Sequence, residues 1–187
     1  MGAYSTAPVV TDEISQRIME EVIRPTVAGM AQEGNVYKGF LYAGLMIAPD
    51  GNIKVLEYNC RFGDPETQPI LMRLKSDLVA LCQAALSEDL DKVNAEYDPR
   101  AALGVVLAAG GYPESYQKGD EITGLAGLDS EEQKVFHAGT RLEGDHVLTN
   151  GGRVLCVTAL GNNVTEAQQK AYACAQQISW KNVYYRT

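Results

Sequence analysis

Apolar residues recur at helical spacing from Thr11 to about Gly34, where Ile14, Ile18, Val22, Ile23, Val27 and Met30 follow an acidic first turn of Asp12 and Glu13. The spacing predicts a helix. Pro25 is expected to kink or restart it, because proline has no N–H and its ring clashes with the preceding turn. The period then changes. In GFLYAGLMIAPDGNIKVLEYN two apolar runs flank Pro49-Asp50-Gly51, which suits a reversal, so residues 39–48 and 52–59 are expected to pair as a hairpin with 52–59 a buried strand. After a polar loop, Pro69 opens a stretch with Ile70, Leu74, Leu78, Leu81, Cys82 and Leu86 on one face, which predicts one helix ending near Ser87.

Residues 88–100, EDLDKVNAEYDPR, carry charge and a proline but no sustained apolar stripe, so they mark a linker between a unit at 1–87 and a second unit at 101–187. In the second unit short apolar runs lie between glycine-rich turns: ALGVVLAAG, KVFHAGT, HVLTN and RVLCVTALG, the last two hinged by Asn150-Gly151-Gly152. They predict an antiparallel sheet or partial barrel. A helix from about Glu166 to Ile178 follows, with Thr165 and Gln168 spaced as a capping box. The fold class is therefore α+β: helix, hairpin and helix, then a mostly antiparallel β region with a final helix.

Composition narrows the function. A chain of 187 residues with 45% hydrophobic and 21% charged residues is globular, and no apolar run approaches the ~20 residues that span a bilayer. The net charge of -8 disfavours nucleic-acid backbones and anionic membranes as partners, although a local basic cluster can still meet a phosphate. Cys60, Cys82, Cys156 and Cys174 form no Cys-x-x-Cys pair, and reduced thiols in a cytoplasmic protein are the simplest reading. MGAYST fits the Met-Gly-x-x-x-Ser/Thr pattern for myristoylation, a short pattern that chance often supplies. Ala109-Gly110-Gly111-Tyr112-Pro113 lacks the Gly-Lys-Ser/Thr of a nucleotide cradle and reads as a tight turn. His137 reads as structural, His146 as exposed, and Tyr184 and Tyr185 as packing residues.

The densest polar cluster follows the hairpin in VLEYNCRFGDPETQP. Glu57, Asn59, Arg61, Asp64, Glu66 and Gln68 place six hydrogen-bonding side chains within twelve positions. Strand alternation puts Val55, Glu57 and Asn59 on one face. A carboxylate beside an amide offers hard oxygen ligands, which suits a magnesium ion that completes its shell with water and substrate phosphates. Arg61 can pair with a phosphate or a developing oxyanion. Asp64 and Glu66, flanking Pro65, can accept from a substrate amine or hydroxyl. A solvated turn with a surface ion pair is the competing reading, and such pairs contribute little.

This segment closely resembles the signature of the phosphoribosylamine-glycine ligase family, also called glycinamide ribonucleotide synthetases, of the ATP-grasp superfamily. The likeness continues in MGAYS, APVVTDEI, GFLYAGLM, LGVVLAAGGYP, VFHAGT and TNGGRVLCVTALG. It implies a partial ATP-grasp module followed by the family's C-terminal domain, with an N-terminal half absent. That half would be a partner. The resemblance also implies that Glu57 and Asn59 bind Mg2+ or Mn2+ bridging ATP phosphates, that Arg61 is catalytic and contacts ATP, and that Asp64 and Glu66 hold substrate. The implied reaction joins glycine to 5-phosphoribosylamine in purine biosynthesis, and the isolated segment is expected to be inactive. It places Met1 inside a Gly-Gly-Met-Gly-Ala-Tyr-Ser segment, on a substrate-side loop. One departure is that YAGLMI carries no acid where many superfamily members have a third metal-binding carboxylate. A different ATP-grasp ligase and a noncatalytic interaction module are the alternatives.

Overall fold

The computed structural model describes residues 1–187, which form eight strands and five α-helices grouped in two compact units. One unit comprises Met1–Ser5, Asp64–Leu74 and Tyr97–Thr187; the other comprises Thr6–Gly63 and Lys75–Glu96.

In the first unit β4 (Ala101–Ala108) and β8 (Arg153–Gly161) lie at the centre of a four-stranded antiparallel sheet ordered β1-β4-β8-β5, with β1 at Gly2–Ser5 and β5 at Gln133–His137. Every residue of β4 is buried, and all of β8 but its first. Both read as unbroken apolar runs because both faces are covered. On one face Leu103, Val105, Leu107, Leu155, Val157 and Ala159 meet α5 (Val164–Ala175) through its small side chains Ala167, Ala171, Cys174 and Ala175. On the other lies α3 (Thr67–Arg73): a Cβ at Gly104 would sit 3.1 Å from both Pro69 Cγ and Cys156 Sγ, so the missing side chain is what lets α3 seat. A separate ribbon pairs β6 (Thr140–Glu143) with β7 (His146–Thr149). HVLTN and RVLCVTALG therefore belong to different sheets, and Asn150-Gly151-Gly152 joins them without pairing them. The sheet is open.

The second unit contains a helical rod, a hairpin and α4 (Leu78–Leu86). The rod runs through α1 (Asp12–Ile18), a π-helical turn at Met19–Ile23 and α2 (Arg24–Gln32). The Arg24 N–H reaches back to the Met19 carbonyl, so the ladder widens by one residue before Pro25, which cannot donate. The hairpin pairs β2 (Tyr42–Ile47) with β3 (Ile53–Asn59). β3 is not the buried strand expected: Val55, Leu56 and Tyr58 are 42%, 63% and 41% exposed. Within this unit only Val22 and Ala84 are buried apolar side chains, so the hairpin has no core to lie on.

Three further expectations are corrected. The single helix after Pro69 is two, because the backbone extends at Leu74 and Asp77, and the Asp77 carboxylate accepts from the N–H groups of Val79 and Ala80 to start α4 afresh. Residues 88–100 are no free tether: a 3-10 turn spans Leu90–Lys92, and the Lys75 and Glu96 backbones join the Ser76 hydroxyl in bonds that fix 94–96. The cap of α5 lies two residues before Thr165, where Asn163 accepts from the Glu166 N–H and Glu166 reaches back to the Asn162 N–H.

Asn163→Ala is expected to destabilise the protein by about 1 kcal/mol and Thr165→Ala by much less, measured by urea denaturation. Equal losses would return the cap to Thr165.

Candidate functional site

Glu57 and Asn59 are brought together by a bulge. Gly44 pairs with Glu57 but Leu45 pairs with Val55, leaving Leu56 as an extra residue on β3. Cross-strand partners share a face, so the bulge turns Val55 to the face opposite Glu57, a correction to simple alternation. Glu57 and Asn59 stay together, and the Asn59 amide donates to Glu57 Oε1 at 3.2 Å. A Cβ on Gly44 would stand 3.0 Å from Glu57 Cγ, so the glycine is what leaves room for the carboxylate.

The donor set fits a hard divalent cation: one carboxylate and one amide, with no soft ligand. No group of three or more His, Cys, Asp and Glu side chains converges anywhere in the chain, so an ion here would draw its remaining ligands from water and substrate oxygens, as magnesium does. With the amide nitrogen turned to Glu57, a cation would require a flip that presents Oδ1 instead. Arg61 is exposed, and its Nη1 donates to the adjacent Phe62 carbonyl at 2.8 Å. The Phe62 ring lies 4.1 Å from that of Phe40, which anchors the start of the loop.

Asp64 and Glu66 belong to the other compact unit, with α3 and the four-stranded sheet. Glu66 is the N-cap residue of α3, where its carbonyl accepts the first helical bond, from Ile70 N–H. Asp64 pairs with a residue that the sequence reading missed, Arg153, with Nη2 to Oδ2 at 3.1 Å. Arg153 opens β8 after Gly151-Gly152; the only signal was a charged residue at the head of an otherwise apolar strand. Below them the Cys156 thiol is raised to about 11, chiefly by burial and with a smaller push from Asp64, so it stays protonated at neutral pH. All four cysteines are free, as expected.

Arg73 ties this region down. Its Nε donates to the carbonyls of Asp98 and Arg100 at 3.0 and 2.8 Å and its Nη1 to Ser5 Oγ at 2.8 Å, so the Gly2–Ser5 segment is an ordered edge strand. The buried Asp98 carboxylate holds Arg100 through two bonds, and this pairing raises the Arg100 guanidinium above its ordinary range. His137 is exposed and bonded to Thr140 Oγ1; His146 is exposed and contacts Glu121.

Comparisons with known proteins first fix the class. Residues 1–67 match the family model described as "Phosphoribosylglycinamide synthetase, ATP-grasp (A) domain", and residues 102–187 match "Phosphoribosylglycinamide synthetase, C domain". A biotin carboxylase domain dimer from Hydrogenobacter thermophilus aligns over 99% of this chain and 40% of its own at TM-score 0.66 and 12% identity, a likeness of fold alone. The chain belongs to the phosphoribosylamine-glycine ligase family. It is 67% identical over 186 residues to the Vibrio parahaemolyticus ligase and 62% identical over 186 residues to the Pseudomonas aeruginosa ligase, covering 100% of this chain and 43% of each relative. The crystal structure of the Thermotoga maritima ligase aligns at TM-score 0.84 and 36% identity over 100% of this chain and 45% of that one. The chain thus spans less than half the length of these relatives. No helix is long and apolar enough to cross a membrane.

If Glu57 and Asn59 form a cation site, Mn2+ added to the 187-residue chain should broaden NMR signals around them first, and Gly44→Ala should weaken that effect several-fold by crowding Glu57. Broadening centred elsewhere, or insensitive to Gly44→Ala, would remove the site.

Proposed function

We propose that this chain is part of an ATP-dependent ligase that joins glycine to 5-phosphoribosylamine, and that its hairpin supplies the metal-binding edge of the active site. The observation carrying the reading is the bulged hairpin, which holds Glu57 and Asn59 on one face within a segment that matches the family. Mg2+ or Mn2+ held there would neutralise charge on the phosphates of ATP.

The reaction would proceed in two displacements. A glycine carboxylate oxygen attacks the terminal phosphorus of ATP and ADP leaves, giving an acyl phosphate. The ribosylamine nitrogen then attacks the acyl carbon, phosphate departs, and the nitrogen loses a proton. Both steps gather negative charge on phosphoryl or acyl oxygens, and preorganised positive charge lowers such barriers. Arg61 is suited to this, since its only hydrogen bond is to a neighbouring carbonyl and its other N–H groups remain open. Asp64 and Glu66 are assigned to substrate, as acceptors for an amine or hydroxyl. Adenine recognition and the rest of the clamp are assigned to the remainder of the longer ligase, which would also cover the open apolar surface of β3. That open surface equally suits a purely interacting module, and activity separates the two.

In the full-length ligase carrying these residues, Arg61→Ala is expected to lower turnover by ~100-fold or more while the glycine KM changes little. Glu57→Gln should lower turnover and weaken its magnesium dependence without unfolding. Wild-type turnover in both variants would overturn the assignment, and a pure KM effect would move Arg61 to substrate binding. The 187-residue chain alone should release no phosphate from ATP in a glycine-dependent way.

A further inference from the structure

Strand β1 is four residues long and lies at the edge of the sheet, yet it is fixed at both ends. At its start a Cβ on Gly2 would stand 2.4 Å from the Gly104 carbonyl oxygen, so glycine is what allows the approach, and the Val106 N–H donates to the Met1 carbonyl at 3.0 Å. At its end Ser5 pairs with Ala102, the last rung of the β1–β4 ladder. Beyond that rung a side chain takes over.

That side chain is Arg73, the last residue of α3. Its Nε is shared between the Arg100 and Asp98 carbonyls at 2.8 and 3.0 Å, and its Nη1 donates to Ser5 Oγ at 2.8 Å. One planar guanidinium thus caps the chain entering β4 and holds the end of β1. These three acceptors are two carbonyls and a hydroxyl, none of them a carboxylate, so what the group contributes here is direction and not neutralisation of charge. The segment it grips is stiffened from within, because the buried Asp98 carboxylate accepts from the Arg100 N–H at 2.9 Å. The backbone of Arg73 is engaged as well: its carbonyl accepts from the Asp98 N–H at 2.6 Å, and Leu74 bridges Tyr97.

The helix that Arg73 closes is the one that Asp64 and Glu66 head. At seven residues it is about 10 Å long, and Pro69 is seated against Gly104 midway along it. A body this short has little play between its ends, so fixing the Arg73 end fixes where the two carboxylates stand.

We propose, resting on the ligase reading, that Arg73 is a positioning residue: by tying the end of α3 to β1 and to the chain entering β4, it sets where Asp64 and Glu66 meet substrate. The guanidinium touches no reacting atom. Contacts that hold substrate alike before and during reaction act on KM and not on turnover, so loss of the clasp weakens substrate capture. It leaves the magnesium dependence alone, since Glu57 and Asn59 belong to the other compact unit.

The test joins exchange and kinetics. In the 187-residue chain, Arg73→Lys and Arg73→Met should each speed hydrogen exchange of the β1 amides by about tenfold, Ser5→Ala by less, with the β8 amides still protected. In the full-length ligase carrying these residues, both Arg73 variants should raise the KM of glycine or of phosphoribosylamine by about tenfold, with turnover within about threefold of wild type and the magnesium response unchanged. Lysine keeps the charge but not the fork, so it should not rescue. Ser5→Ala should raise the same KM by less, and should add nothing in an Arg73→Met background. A merely structural role would lower turnover along with the amount of folded enzyme and leave KM in place. Full rescue by Arg73→Lys, KM values unmoved in Arg73→Lys and Ser5→Ala, or unchanged exchange in β1 would each reject the role. If the wild-type enzyme shows no glycine-dependent turnover, the ligase reading falls and this role with it; a failure confined to the variants removes this role alone.

Discussion

The pairing of β4 with β8 is the contact on which the rest of the first unit depends. Buried on both faces, the two strands satisfy each other's backbone groups where water cannot, and an unpaired group there would cost about 1–3 kcal/mol. Such a ladder needs cover above and below. Small side chains provide it: Ala167 and Ala171 bring α5 close on one face, and Gly104 admits α3 through Pro69 on the other. The Arg73 clasp then joins α3 to the chain entering β4 and to β1. Asp64 and Glu66 head this same helix, so the positions of both carboxylates follow from how α3 is seated.

The second unit is built on a different principle. With Val22 and Ala84 as its only buried apolar side chains, it lacks the interior that makes a fold self-supporting, and Met46 and Leu56 stand 56% and 63% exposed on its hairpin. Its local geometry is nonetheless specific. The π turn before Pro25, the Asp77 cap and the Leu56 bulge are each features of local hydrogen bonding. Glu57 and Asn59 therefore hold their shared face without a core behind them.

Periodicity read the helical rod, the hairpin, the two long strands and the final helix, because each carries enough apolar residues to show its period. It failed where backbone geometry interrupts a period without altering composition. Leu74 and Leu78 continue an apolar stripe across a break that only Ser76-Asp77 could have announced. HVLTN and RVLCVTALG read as one hairpin because sequence neighbours usually pair, whereas β7 turns to β6 and β8 lies between β4 and β5. Of the candidate residues, Glu57 and Asn59 were legible as a pair. Arg153 was not, because its partner Asp64 lies 89 positions away in the chain.

Both strands that carry candidate chemistry break their alternation by one residue, and the two breaks do comparable things. On β3 the extra Leu56 separates Glu57 and Asn59 from the face of Val55; on β8 the extra Val154 moves Arg153 from the α5 core to the side where Asp64 stands. On β8 a strand of strict period two would turn the Arg153 guanidinium into the apolar core under α5. A bulge removes the conflict by leaving one ladder position unpaired. It also makes the directions of Glu57 and Arg153 properties of the backbone, so the two charges keep their aim when their side-chain partners change.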